Sequence, residues 1–504
     1  MPLPRVARSV LSRLTTPGPL LAIGLGAATV GGSLWIAIAN RSLDAHSATT
    51  LLSFYFLVGT IGTGVLAGLE QEMTRTVART HAANRPVGAA VRGQLRQAAG
   101  LVAVTGVVLL AASPLLLSRW LGHSWTLELA LAAGLAATWA SFLVRGVLAG
   151  CQDFRYYSLT LIVQGVATIV PSVILTSSGR GHLLGYAFVF ALAPLVAAVS
   201  GLASPALRRS WRAVGSVGSV RSVRAAGAVG AAAAGDAESA AVPSVPDDAE
   251  EPGGSAREKL ILLTLATLLS QLLINAVPLI ISSRLDAGHA KSLDSAMGMS
   301  RLALLCLFPL QAPLLPMLAA AAVRGDFREV RRKTGFLVAA CLGTGAAGVV
   351  VVAAAGPWLL RHYFAATDPL SHLFLSALAL STAFLMTAFV LQSAQVALNR
   401  HRVVFAAWLA GLATMALVFV LPLSPLAAAG WAGILGPLAV TVIAAADVMF
   451  VTRSLPTVTG PDAEPAAAVP APVEAPVEAS VEALRPAPAP DAGQAEPVAE
   501  GVRG

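Results

Sequence analysis

The sequence predicts an all-α polytopic membrane protein with twelve transmembrane helices, arranged as two six-helix lobes related by a parallel pseudo-two-fold repeat. Three observations carry that prediction. Hydrophobic residues make up 56% of the chain and charged ones 12%, with mean hydropathy +0.74, a balance outside the range of soluble globular domains. Twelve apolar runs of at least about 18 residues are long enough to cross the hydrocarbon core at 1.5 Å per residue. A polar stretch from Ser204 to Lys259 divides them six and six.

The first lobe, residues 1–203, holds runs at Gly18–Ala39, Thr50–Leu69, Ala98–Ser118, Leu127–Val144, Tyr157–Ser177 and His182–Leu202. Arg5, Arg8 and Arg13 precede the first run as in a signal peptide, but the run is too long for an h-region and lacks a cleavage pattern, so a retained span is expected. Residues 204–259 open basic, pass through Gly, Ala, Ser and Val, and close acidic without an apolar period, which predicts a disordered tether. The second lobe, residues 260–453, holds runs at Leu260–Ser282, Met297–Ala321, Gly335–Leu360, Ser371–Leu391, Val403–Leu421 and Leu426–Val451. Residues 454–504 are Pro/Ala-rich and acidic and read as a disordered tail; tether and tail are the segments open to cytoplasmic protein contacts.

With the N-terminus inside, 27 Lys and Arg fall on the inner side and six on the outer: Arg41, Arg119, Arg180, Arg284, Lys291 and Arg361. The positive-inside rule then places both termini and the tether in the cytoplasm. The net charge of +8 therefore faces the anionic inner leaflet, and nucleic acid is not the expected partner. Arg outnumbers Lys 31 to 3 in an Ala- and Gly-rich chain, a bias associated with a GC-rich bacterial genome. Two strings recur at an offset of about 243: Arg41-Ser42-Leu43-Asp44-Ala45-His46 against Arg284-Leu285-Asp286-Ala287-Gly288-His289, and Ala112-Ser113-Pro114 against Ala355-Gly356-Pro357. An even number of spans per copy keeps both copies in one orientation and puts a substrate path between them.

Chemistry-bearing residues are sparse. Cys151, Cys306 and Cys341 have no CxxC or CxxH spacing, so neither a disulfide framework nor a metal site is expected, nor is any cofactor. His46 and His289 read as solvated loop residues, and no loop gathers a nucleophile with a base, so an enzyme is not expected. Arg301, several residues into the eighth run, lines a cavity, snorkels to the outer surface or pairs with Asp294, since a guanidinium there costs about 2.5–3.5 kcal/mol without water or a partner. Arg41 is a ligand residue or an interfacial anchor, with Asp44 beside it. Gln271 and Asn275 share a helix face, Gln311 stands between Pro309 and Pro313, and Gln164, Gln392 and Gln395 add neutral polarity; the commoner use of such groups is to glue helices together. Glu70, Glu72, Arg75 and Arg79 follow the second run as a solvated face or a gate, with Asp44 and Arg145 as further gating candidates. Glu128 and Asp447 lie near span ends, and so few acids inside the spans argue for an anionic cargo.

Gly68-Leu69-Glu70-Gln71-Glu72-Met73-Thr74-Arg75, Arg145-Gly146-Val147-Leu148-Ala149-Gly150 with Phe154-Arg155-Tyr156, Ser270-Gln271-Leu272-Leu273-Ile274-Asn275 and Leu310-Gln311-Ala312-Pro313-Leu314-Leu315-Pro316 resemble the oligosaccharide/polysaccharide flippases of the multidrug/oligosaccharidyl-lipid/polysaccharide exporter superfamily. The resemblance implies a bacterial inner-membrane carrier that moves a polyprenyl-pyrophosphate-linked oligosaccharide to the outer leaflet through a cationic cavity. The chain also resembles lipid II flippases, with Arg41 and Arg301 where they carry arginines, but those usually have fourteen spans. A cation-coupled drug exporter of the same superfamily is the alternative. A major-facilitator carrier would need a Gly-Asp-Arg-Gly-Arg-like signature after the second run, and a polymerase or ligase a long catalytic outer loop; neither is found.

Overall fold

The computed structural model describes residues 17–82, 87–208, 256–300, 317–318, 321–322, 324–366, 368 and 370–454. Among these the chain is helical, and eleven helical stretches are long and apolar enough to cross a membrane. The remaining predicted span, the eighth (Met297–Ala321), falls largely outside the described residues, together with Arg301 and Gln311; so do most of the predicted tether and all of the predicted tail beyond Ser454.

The first lobe comprises α1 (Pro17–Ser42), α2 (Ala45–Val58), a π-helical turn (Gly59–Thr63) leading into α3 (Gly64–Ala82), α4 (Val87–Arg119), α5 (Trp125–Gly150), α6 (Phe154–Ser177) and α7 (Leu183–Gly201). The second comprises α8 (Ala256–Ile281), α9 (Ala287–Ser300), α10 (Phe327–His362), α11 (His372–Ala397), α12 (His401–Val420) and α13 (Pro425–Ser454). Short polar turns start these helices by supplying an acceptor for an orphan N–H: Asp44 takes Ser47 N at 3.1 Å, Ser124 takes Leu127 N at 3.3 Å, Asp326 takes Glu329 N at 2.9 Å and Ser371 takes Phe374 N at 3.2 Å.

The duplication read from the sequence is visible in the packing. In the first lobe α1 lies on α6, α5 on α7 and α6 on α7; in the second, α8 lies on α12, α11 on α13 and α12 on α13. Pro114 and Pro357 sit inside α4 and α10, and Asp44 and Asp286 each accept the N–H three residues on, at 3.1 and 3.4 Å. The α1–α6 seam is tight because Gly31 and Gly165 meet backbone to backbone; a Cβ on Gly31 would stand 2.7 Å from Gly165 Cα. On the outside, Val107, Leu110, Leu373, Val420 and Phe450 are largely exposed, which fits lipid as their solvent.

Boundaries depart from the hydropathy runs in ways that matter. Helices α4 and α10 begin about three and about two turns before their apolar runs, in basic polar sequence that hydropathy cannot mark. The tether was expected from Ser204, yet Ser204 Oγ donates to Asp153 at 2.6 Å and Leu207 is buried, so this first stretch is fixed to the lobe; α8 in turn begins at Ala256. Residues 287–296, expected as an outer loop, form most of α9. Their Ala, Gly and Ser content keeps hydropathy low while allowing close approach of the first lobe.

Candidate functional site

Two polar regions occupy opposite ends of the bundle. At the end where α1 stops and α2 starts, the lobes are joined. Asn40 Nδ2 donates to Ser295 Oγ at 2.8 Å, Lys291 Nζ donates to the Asn40 carbonyl at 2.7 Å, and Arg41 donates to the His362 carbonyl at 2.6 Å. Trp120 Nε1 adds a bond to the Leu279 carbonyl at 2.7 Å. One apolar core runs through both lobes here, from Trp35, Phe54 and Leu121 to Ile281, Leu293 and Phe364. Farther along, α3 and α8 touch where Gly68 lies against Thr264. Beyond that seam the cores separate: Met73, Val77, Val147 and Leu148 belong to the first lobe, and Val330, Met386, Val390 and Val448 to the second. Among the described residues, the lobes are thus closed at the Arg41 end and independently packed at the other.

Arg41 itself is exposed and closes the last turn of α10, where a cation complements the negative helix end. Asp44, expected beside Arg41 as a gating candidate, caps α2, and its hydrogen bonds from Ser47 hold its carboxyl below the ordinary 3.8. Lys291 was counted as an outer-loop cation and is 5% exposed. Asp294, fully buried on the same helix, accepts from Ser282 Oγ at 2.5 Å.

The other region lies in the first lobe between α3, α5 and α6. Tyr157 Oη donates to Glu70 at 2.8 Å, while buried Arg145 donates through Nε to Thr160 Oγ1 at 3.1 Å and through its terminal nitrogen to Gln164 Oε1 at 2.6 Å. Glu70 and Arg145 are close enough for each charge to act on the other. Glu70, Arg145 and Gln164, named separately from the sequence, are therefore one network. Tyr157 and Thr160 were missed, although Phe154-Arg155-Tyr156 had marked the turn before them. Glu70 was placed just past a span, but the helix continues to Ala82 and carries it within the bundle. Together with Asp294, it adds to the few acids expected in the spans, of which Glu128 and Asp447 were placed near span ends.

Glu72 pairs with Arg75 at 2.7 Å on the exposed side of α3; the Arg79 side chain lies outside the described residues. Asn275 is buried and donates to the Gln271 carbonyl at 2.8 Å, and Gln271 lies near Gly64 at the seam between lobes. Gln392 accepts from Trp408 at 2.9 Å, and Gln395 donates to Asp447 at 3.0 Å, with Arg400 on the same carboxylate at 2.7 Å. A cavity in the second lobe is lined by Leu273, Met297, Ser300, Ser381, Thr382 and Leu385, among others, with hydroxyls as its polar groups.

No family model and no curated protein matches the chain. Solved structures do match over most of its length. A multidrug-resistance MATE-family transporter of the MOP superfamily, in an inward-facing conformation, aligns with TM-score 0.61 and 14% identity over 86% of this chain and 96% of its own. A MATE transporter of Vibrio cholerae aligns with TM-score 0.58 and 15% identity over 88% and 97%. A MOP-superfamily transporter of Pyrococcus furiosus, described by the reversed polarity of its binding pocket, gives 0.59 and 16% over 87% and 96%. At these identities the likeness shows the fold: a multi-pass, all-helical protein of two six-helix lobes, similar to transporters of the MOP superfamily.

Proposed function

We propose that the chain is an alternating-access carrier of a bacterial inner membrane, with both termini cytoplasmic, which moves a polyprenyl-pyrophosphate-linked oligosaccharide from the inner to the outer leaflet. The observation that carries the transport reading is the asymmetric closure: a shared core and cross-lobe hydrogen bonds at the Arg41 end, separate cores at the other. With the Arg41 end outside, this is a carrier closed outward. The anionic cargo is supported by how Arg41 and Lys291 are held. Both donate to main-chain carbonyls, so parting the lobes would release cationic groups without breaking an ion pair at either. Arg301, Gln311, Gln271 and Asn275 complete the proposed cavity lining, and membrane lipid is its surroundings. An inside-negative potential favours outward movement of a negative charge by about 2.3 kcal/mol per 100 mV.

One observation favours the alternative, a cation-coupled drug exporter. Glu70 and buried Asp294 place carboxylates within the bundle, where an organic cation would need them. The Pyrococcus relative, whose pocket polarity is reversed, supports reading cargo from the site's charge rather than from the fold. The deciding experiment reconstitutes the full chain in vesicles and follows a fluorescent polyprenyl-pyrophosphate glycan and a cationic dye in parallel. Glycan exposure that Arg301→Ala abolishes at unchanged expression is expected. Unchanged exposure removes Arg301 from the site, and dye export without glycan movement establishes the alternative.

A further inference from the structure

The turn that starts α9 carries more than a helix cap requires. Asp286 accepts the His289 N–H at 3.4 Å, as Asp44 accepts Ser47 in the first lobe, and that contact alone satisfies the helix start. In the second lobe the residue at the capped position is a histidine, whose Nδ1 lies 2.6 Å from Asp286 Oδ2. Asp368, 79 positions beyond His289 in the numbering and on the connection between α10 and α11, comes to the same place, its own N–H donating to Ser292 Oγ at 3.3 Å. The ligand atoms of Asp286, His289 and Asp368 all lie within 4.8 Å of one another. Lys291, the nearest cation along α9, is turned to the Asn40 carbonyl and does not neutralise them.

The geometry points to a divalent-metal site formed by Asp286, His289 and Asp368 at the Arg41 end of the second lobe. Two carboxylate oxygens and an imidazole nitrogen from two separate connections suit zinc, which bonds N and O ligands at about 2.0–2.2 Å and completes its shell with water. Ligation turns the Nδ1–Asp286 hydrogen bond into two bonds to one ion, so the imidazole gives up any second proton it carries. The ion clips the α8–α9 turn to the α10–α11 connection.

Zinc titrated calorimetrically into the purified full chain is the test. The wild type should show one saturable site, and Asp368→Asn and His289→Gln should each weaken it about tenfold or more. Zinc should also raise the unfolding temperature of the wild type and not of either variant, each measured against its own metal-free value. Calcium is the second probe, because an oxygen-only set would hold it at least as well as zinc, whereas an imidazole ligand makes zinc the tighter ion. A wild type without a saturable site, variants that bind zinc as tightly, or a preference for calcium would each overturn the assignment.

Discussion

The two lobes share a scaffold and differ in what they bury. The first encloses Glu70, Tyr157, Arg145, Thr160 and Gln164 in one charged network; the second, built on the same helix pairings, encloses a cavity whose polar groups are the hydroxyls of Ser300, Ser381 and Thr382. Matched by the helix caps, where Ser124 corresponds to Ser371 and the left-handed Gln152 to Asn399, Arg145 falls opposite Gln392, whose amide oxygen accepts from Trp408. The duplication thus keeps a polar position on this helix, charged and hydrogen-bonded to α6 in the first lobe, neutral and hydrogen-bonded to α12 in the second, where Asp447 and Arg400 carry charge elsewhere.

The sharpest way to break this comparison is to discharge the first lobe. Arg145→Ala removes the donor to Gln164 and Thr160 and the cation that acts on Glu70, and should cost about 1.5–3 kcal/mol, the range for a hydrogen bond to a charged group. Thermal unfolding in detergent should show that loss, and Glu70→Gln with Arg145→Met should recover most of it. If the single variant unfolds like the wild type, the network does not hold the lobe. In the second lobe, Ser381→Ala removes one hydroxyl-to-carbonyl bond, to Gly433, and should cost only about 1 kcal/mol in the same measurement; an effect as large as that of Arg145→Ala would erase the contrast.

The smallest effect separates the two caps. Asp44 and Asp286 are both held below the ordinary 3.8 by the N–H and side-chain bonds they accept, so each cap is complete above that value and lost as pH falls through the lower folded one. His289 is raised above 6.5 by the hydrogen bond and charge of Asp286, so its contribution is complete below 6.5 and lost as pH rises through the higher folded value. Amide exchange in the first turn of α9 should therefore quicken on the alkaline side beyond the intrinsic base-catalysed rise, while the first turn of α2 follows that rise alone. Parallel profiles would show that the histidine adds nothing to the cap.

Most of the fold was legible because lipid replaces water as the outer solvent: a span must be apolar on nearly every face, so composition alone marks it. The same rule hid residues 287–296, where Lys291, Ser292, Asp294 and Ser295 are buried against another helix rather than against lipid. The site was legible in pieces. Glu70, Arg145 and Gln164 could be named as polar residues in or beside spans, but which of them meet depends on crossings fixed by glycines such as Gly146, set against Met73 and the Glu70 carbonyl, and Gly165, set against Gly31. Tyr157 was hidden by its own amphipathic character, since it opens an apolar run as readily as it donates a hydrogen bond.

The π-helical turn at Gly59–Thr63 sets the azimuth of everything that follows it in the second span. Each residue advances a helix by about 100°, so a span wound as α throughout, one residue shorter there, would swing Glu70 by roughly a quarter turn away from the Tyr157 hydroxyl. The single wide turn is what lets the same rod offer its early residues to the neighbouring lobe and its late ones to a carboxylate socket in its own.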